Sequence, residues 1–355
     1  MRRVLGVFLM VAVLYGTLMM LDENARSVGN QQTIAGRLGF YGVLTVGVGV
    51  LIVSGGIDLS IGSVVGLGAV VFALLLSHQV PPWAAALIVI LGGSAIGLLH
   101  GTLVTQLRLQ PFLVTLCGLF IYRGLARWIV PTTVGLTVED ATEEFHQQIE
   151  RFRTLLVGTP YRLIFGQPFA MENSRNTFAE TVADQGLART LTGLALSVPN
   201  HLLLLIGVAV FLGLFLHGTR YGRYLFAIGA NEEAARYAGI PTSNYKILGY
   251  VISSTTAGLG GVLFLLENRT ANATSAGSLL ELYAITGAVL GGCSLSGGEG
   301  SVAGMVLGAA VLPLLRQLCV FGQLSSEIEY AVIGVALLVG TIVDELLKRR
   351  RAHRL

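Results

Sequence analysis

The sequence predicts an all-α polytopic membrane protein of about ten transmembrane helices. Charged residues make up 12% of the 355 positions, about half of the roughly 25% typical of soluble domains. Hydrophobic residues reach 53% and mean hydropathy is +0.73. Glycine fills 46 positions, nearly double the usual ~7%, a composition suited to closely packed membrane helices. The formal charge of +3 is small and scattered, whereas a nucleic-acid binder gathers Lys and Arg into one footprint. Cys117, Cys293 and Cys319 are odd in number and sit in apolar stretches, which excludes a disulfide scaffold.

A bilayer core of about 30 Å needs roughly 20 apolar residues per helix. Spans are expected near 4–21, 38–54, 61–77, 83–105, 110–130, 200–217, 247–267, 280–297, 301–321 and 328–346. The first follows Arg2-Arg3 and precedes Ala25-Arg26-Ser27, so a cleaved signal peptide is the alternative. Its 18 apolar residues are long for a signal core and favour a retained helix. Glycines within the spans read as packing positions that let backbones approach.

Between the fifth and sixth spans, residues 131–199 form the single long polar stretch, with eight acids and five arginines. Pro160, Pro168 and Pro199 interrupt its helical patterns, such as Thr137 to Leu156. It reads either as a surface excursion without chemistry or as part of a docking platform. Positive charge orients the chain. With the N-terminus inside, inner segments hold Arg2, Arg3, Arg108, Arg220, Arg223, Arg236, Lys246, Lys348, Arg349, Arg350, Arg351 and Arg354 of the 23 basic residues. Short outer segments hold Arg26, Arg37 and Arg269. Both termini are therefore expected in the cytoplasm and 131–199 outside.

The inner segment 218–246 is longer than a connector requires. Asn231 is a natural N-cap, Glu232-Glu233 suit a first helical turn, and Gly239 ends the helix before Pro241. Ala234, Ala235 and Ala238 would give it a smooth small-residue surface. It reads as a helix lying on lipid or as a docking helix for a cytosolic partner.

Two glycine-rich strings carry the remaining signal. Gly55-Gly56-Ile57-Asp58-Leu59-Ser60-Ile61-Gly62-Ser63 separates the second and third spans, and Gly291-Gly292-Cys293-Ser294-Leu295-Ser296-Gly297-Gly298 the eighth and ninth. Each leads into Ser-Val-x-Gly, at Ser63 to Gly66 and Ser301 to Gly304. Such repeats accompany broken helices beside a transport pathway, the alternative being chance likeness of two turns. Asp58 and Ser60 would cap the third span. Leu295-Ser296-Gly297-Gly298-Glu299 looks like the ABC ATPase signature, yet the chain has no Gly-Lys pair and hence no P-loop. Metal, nucleophilic and hydrolytic motifs are missing too: no H-E-x-x-H, C-x-x-C or G-x-S-x-G occurs.

These residues together resemble the permeases of ABC importers of the ribose, xylose and galactose class, within the branched-chain amino acid and sugar permease family. Gly55 to Ser63 matches the class motif G-I-D-L-S-x-G-S. Glu281-Leu282-x-Ala284-Ile285 with Gly291 to Gly300 is similar to its second hallmark, and Arg108-x-Gln110-x-Phe112-x-x-Thr115-Leu116 and Arg123-Gly124 fit as well. Cys293, Glu299, Met305 and Arg316 depart from the family pattern, and the outer loop is longer.

The resemblance implies a type II importer-like fold, with residues 1–355 one transmembrane domain, 131–199 an extended periplasmic loop and 218–246 a cytoplasmic coupling segment. It implies an inner-membrane permease with no catalytic residues, metal or cofactor of its own. ATP and Mg would bind a partner ATPase; a second permease copy and a periplasmic solute-binding protein would complete the assembly. Coupling falls to Arg223, Gly229, Asn231, Glu232, Ala234, Ala235 and Gly239, and the pathway to Asp58, Ser60, Arg123, Glu281, Ser294 and Arg316. The imported solute would be a monosaccharide or a related small polar molecule. The rival is a secondary transporter or channel, which would carry ionisable groups near mid-membrane; an embedded enzyme or scaffold lacks the constellations it needs. Arg316 is expected about 22 Å along the ninth span, level with Arg123 and Arg127. There it either pairs with Glu267 or Glu281, or snorkels, or lines an outer vestibule.

Overall fold

The computed structural model describes residues 2–138, 141–166 and 187–324, together with positions 331, 334, 335 and 338. The expected tenth span, 328–346, therefore lies outside the described residues apart from those isolated positions. The helices are α1 (Arg2–Leu21), α2 (Val28–Val53), α3 (Ile61–Ser77), α4 (Pro82–Thr105) and α5 (Pro111–Ile129), followed by α6 (Glu143–Val157), α7 (Pro160–Phe165) and α8 (Leu187–Leu196) of the 131–199 segment. Next come α9 (Asn200–Gly213), prolonged by a π turn at Leu214–Gly218, then α10 (Arg220–Ala230), α11 (Glu232–Tyr237), α12 (Thr242–Asn268), α13 (Leu280–Leu290) and α14 (Val302–Phe321). Among the described residues seven helices are long and apolar enough to cross a membrane: α1, α2, α4, α5, α9 with its π turn, α12 and α14.

Helix α2 is the axis of the bundle, with 83% of its apolar window buried. It packs against α9, α12, α13 and α14. Glycines open each side of it: a side chain at Gly39 would strike the His201 backbone, at Gly47 the Thr256 side chain, and at Gly49 Met305. On α4, Gly93, Gly97 and Gly101 recur every fourth residue and admit the backbone of α12, the close approach that small residues permit between membrane helices. Helix α1 rests on α14, where Leu18 is fully buried with Leu314.

Helix α2 starts ten residues before the expected 38, because Ser27 caps it and carries a polar first stretch. The span expected at 280–297 is corrected: its helix stops at Leu290, where Gly291 and Gly292 turn the chain, the latter at φ +96°. In the 131–199 segment, helix begins at Glu143 under a Thr142 cap rather than at Thr137. Residues 133–135 there form β1, antiparallel to β2 (Thr270–Asn272) with Thr133 opposite Asn272. Residues 167–186 of that segment lie outside the described residues. This ribbon fixes the two faces of the bundle: residues 131–138 and 141–166 lie at the upper end of α12 and residues 218–246 at its lower end.

Candidate functional site

Two spans are broken at mid-depth, and their helical parts start side by side. From Gly55 on the lower face the chain rises as irregular backbone, and α3 begins only at Ile61. Asp58 on that rise is fully buried. Its Oδ1 accepts from the Ser60 amide at 2.9 Å and the Ser60 hydroxyl at 2.6 Å. Its Oδ2 accepts from the hydroxyls of Ser253 at 3.0 Å and Ser254 at 3.5 Å. Ser253 stands 11 residues into α12, about 16 Å above its lower end at ~1.5 Å per residue. Asp58 and Ser60 thus do not cap α3, whose Ser60 N-cap position makes no side-chain cap bond. The rising backbone aims Asp58 sideways at α12 instead.

From the upper face, residues 273–279 descend to the start of α13. Glu281, expected at an outer helix end, sits at mid-depth against the first turn of α3. A side chain on Gly62 would overlap its carboxylate and the Gly277 carbonyl. Glu281 is 7% exposed, and its Oε2 has no hydrogen-bond partner. Arg123 Nη1 holds the descending loop by donating to the carbonyls of Thr274 at 3.1 Å and Ala276 at 3.0 Å and to the Ser278 hydroxyl at 3.0 Å. Two shortened helices, α3 of 17 residues and α13 of 11, therefore present their N-termini, where free N–H groups and the helix dipole favour negative or electron-rich groups, to one region inside the bundle. Discontinuous helices with this geometry are a recurrent way of building a solute site in transporters.

Arg316 adjoins the same level, on α14. It lies beside the Tyr41 hydroxyl of α2, within electrostatic reach, and the Tyr41 ring meets Tyr283 of α13 edge-on with centroids 5.9 Å apart. Glu267 is at the upper end of α12, 3.6 Å from His201 and near Arg37 and Arg153. Of the expected pathway residues, Asp58, Ser60, Arg123, Glu281 and Arg316 occupy the middle of the bundle. Ser294 does not: it lies in the lower turn, where its amide donates to the Glu299 carbonyl at 3.1 Å. The Ser-Val-x-Gly match between the strings is not structural either, since Ser301 caps α14 while Ser63 lies inside α3.

The lower face joins both strings to the 218–246 segment. Gly229 of α10 is wedged between the Val53 carbonyl and the Gly298 amide, with no room for a Cβ. Gly297, at φ +84°, faces Gly229 and the Gly55 amide, and the Gly298 amide donates to the Val53 carbonyl at 2.9 Å. Beyond this junction, Asn231 caps α11 by accepting from the Ala234 amide at 2.9 Å, and Gly239 turns the chain at φ +82°. Ala234 and Ala238 are exposed, as are Arg223 and Glu232, and Glu232 pairs with Lys246. Ala235 is buried against the protein, so the expected Ala234–Ala235 surface is corrected: the two point opposite ways.

Several participants escaped the sequence reading. Ser253 and Ser254 belong to a Ser-Ser-Thr-Thr run within an apolar span, a legible anomaly. Tyr41, Tyr283 and the buried His100–Tyr122 pair, 2.9 Å apart, carried no comparable signal.

A membrane-length helical bundle with opposed shortened helices at mid-depth and a short helix pair on one face defines a membrane permease. The chain belongs to the family described as branched-chain amino acid transport system / permease component, which matches residues 30–340. It is similar to the ribose import permease protein RbsC of Escherichia coli K12, 28% identical over 332 residues that cover 94% of this chain and 90% of the relative. It is also similar to the fructose import permease protein FruG of Bifidobacterium longum, at 30% over 302 residues (85% and 78%), and to a probable ABC transporter permease protein, y4mJ, of Sinorhizobium fredii, at 32% over 309 residues (87% and 79%). No solved structure matches the chain significantly. The protein is a membrane-spanning permease subunit of an ABC importer.

Proposed function

We propose that the chain forms the path by which a bacterial inner membrane imports a monosaccharide, driven by a separate ATPase that binds the ATP and Mg. The relatives named for ribose and fructose import support a sugar as the solute. The missing P-loop supports the division of labour, because energy must then enter through a contact. The observation that carries the reading is the glycine junction. Gly229 touches the backbone at Val53 and Gly298, so displacement of α10–α11 pushes directly on the chain that leads to Asp58 and on the turn that follows α13. A movement imposed at the lower face thereby reaches both shortened helices at mid-depth. In this reading Arg223, Asn231, Glu232, Ala234 and Gly239 shape the surface offered to the ATPase, and Ala235 anchors it. A second permease copy and a periplasmic binding protein complete the importer, with 131–199 on the periplasmic side and both termini in the cytoplasm.

The depth of Asp58 and Glu281 removes one argument against an ion-coupled transporter, which uses such groups. Family membership and the filled hydrogen-bond shell of Asp58 weigh the other way. Proteoliposomes containing the permease, its ATPase and its binding protein test the reading. ATP-dependent accumulation of ribose, fructose or another monosaccharide is expected, and it stops when the ATPase P-loop lysine is replaced. Accumulation by the permease alone under an ion gradient, or of branched-chain amino acids in place of sugars, overturns it.

A further inference from the structure

On the upper face a crevice of about 260 Å³ opens between the start of α2, the α6–α7 corner and the adjoining ends of α9 and α12. Its polar lining includes Gln32, Thr33, Arg153, Arg162, His201 and Glu267. It lies at the upper ends of α2, α9 and α12, above the mid-depth constellation. His201 is 3% exposed, and its Nε2, 3.6 Å from Glu267 Oε2, has no hydrogen-bond partner. Arg37, beside Glu267, likewise keeps a buried Nη1 without one. Buried polar atoms without a partner are uncommon in a finished interior, and His201 is one of the residues lining the crevice.

The charges of the crevice are of both signs. Arg153 is fixed by its Nε bond to the Leu266 carbonyl at 2.8 Å, and exposed Arg162 stands on the following helix. Glu267 supplies the opposing carboxylate. Next to Arg162, Leu163, Ile164 and Phe165 are 44%, 63% and 56% exposed. An apolar ridge beside a charged crevice at this level matches a lipid, with chains along the ridge and a headgroup in the crevice. We propose that the crevice binds the zwitterionic headgroup of a phosphatidylethanolamine, its phosphate on the Arg153 and Arg162 guanidiniums and its ammonium on Glu267. A guanidinium suits phosphate through paired N–H donors, and an ammonium offers three donors to a carboxylate. Phosphatidylglycerol would set an uncharged glycerol against Glu267 in place of the ammonium, and so would lose the charge pairing there. The assignment requires only that the crevice lie at a bilayer surface, and so it stands apart from the solute and from the direction of transport.

The full-length permease, purified from membranes and exchanged into nanodiscs of equal phosphatidylethanolamine and phosphatidylglycerol, provides the test by native mass spectrometry of retained lipid. Several-fold preferential retention of phosphatidylethanolamine is expected. Arg162→Gln, at an exposed position, should reduce total retained lipid several-fold with an unchanged melting temperature. Glu267→Gln should keep lipid but erase the preference. Equal retention of both lipids by the unaltered protein, or unchanged retention in Arg162→Gln, overturns the proposal. So does saturable binding of inorganic phosphate in detergent that phosphatidylethanolamine does not displace, which would make the crevice a site for a free anion.

Discussion

Asp58 shows how a charged side chain is accommodated in the middle of this bundle. Buried from solvent, it accepts one amide and the hydroxyls of Ser60 and Ser253, with Ser254 at the limit of reach. Those donors have no water to turn to, so removing the acceptor costs about 1–3 kcal/mol for each buried group left unpaired. Asp58→Ala is therefore expected to lower the melting temperature markedly, while Asp58→Asn, which keeps an acceptor oxygen, recovers much of the loss. Equal stability of the Ala variant and the native protein would show that α3 is not held through this carboxylate. Arg316 raises a different question, because its contact with Tyr41 is compatible with a structural bond or with a wall of the solute path. Arg316→Gln should cost about 1.5–3 kcal/mol if the contact is a structural charged hydrogen bond, and Tyr41→Phe should then add little in the Arg316→Gln background, since the two act as one interaction. If both single variants fold with native stability but change the relative uptake of neutral and acidic sugars, Arg316 is a vestibule residue and the structural account fails.

At the level of elements, α11 is a six-residue helix with two separate tasks. Its capped, exposed side carries Ala234, and its inner side carries Ala235 at 5% exposure. Ala234→Arg adds a long charge to the outer side only, so insertion and thermal stability should stay native. Recruitment of the ATPase, read by co-purification, should be lost, because an unpaired charge buried in a protein contact costs several kcal/mol. Ala235→Arg forces the charge into the permease and should lower stability in the isolated subunit. Normal co-purification and transport in Ala234→Arg would show that this side does not meet the ATPase. The helix itself was legible, since Asn231, the paired glutamates and Gly239 are local signals. Long apolar runs such as α4 and α5 were legible too, because spanning depends on length and composition. The glycine-rich strings pointed to broken helices beside a pathway, but not to where the helices break. By length the run 280–297 counts as one span, whereas helical bonding ends at Leu290, where Gly291 and Gly292 turn the chain. The depth of Asp58 was hidden too, because irregular backbone climbs farther per residue than helix does. The first part of α2 was missed for the opposite reason: Asn30, Gln31 and Gln32 are polar, yet their amides are bonded inside the protein, Asn30 and Gln31 to the Ala25 carbonyl and Gln32 to the Ser197 carbonyl.

For the molecule as a whole, the direction of the bundle in the membrane governs what each face can meet. Residues 131–138 and 141–166 lie at the opposite end of α12 from the α10–α11 pair, as the β1–β2 ribbon and the Lys246–Glu232 pair require. Whichever side holds one, the other side holds its counterpart. The uneven distribution of Lys and Arg favours a cytoplasmic 218–246 segment, since positively charged short loops resist translocation. The 131–199 stretch carries three more acids than bases, and long loops cross regardless of charge. Single cysteines at Glu144 and at Arg351 report the two sides. Glu144 is exposed in the first turn of α6, and Arg351 lies outside the described residues, in the basic C-terminal stretch. The background needs Cys117, Cys293 and Cys319 replaced; the last two are buried, so small Ala substitutions there should keep the fold. In intact cells stripped of the outer membrane, an impermeant maleimide should label the Glu144 site at once and the Arg351 site only after lysis. Labelling of Arg351 before lysis with Glu144 silent would invert the bundle, placing α10–α11 where no ATP is available and thereby removing the coupling role assigned to it.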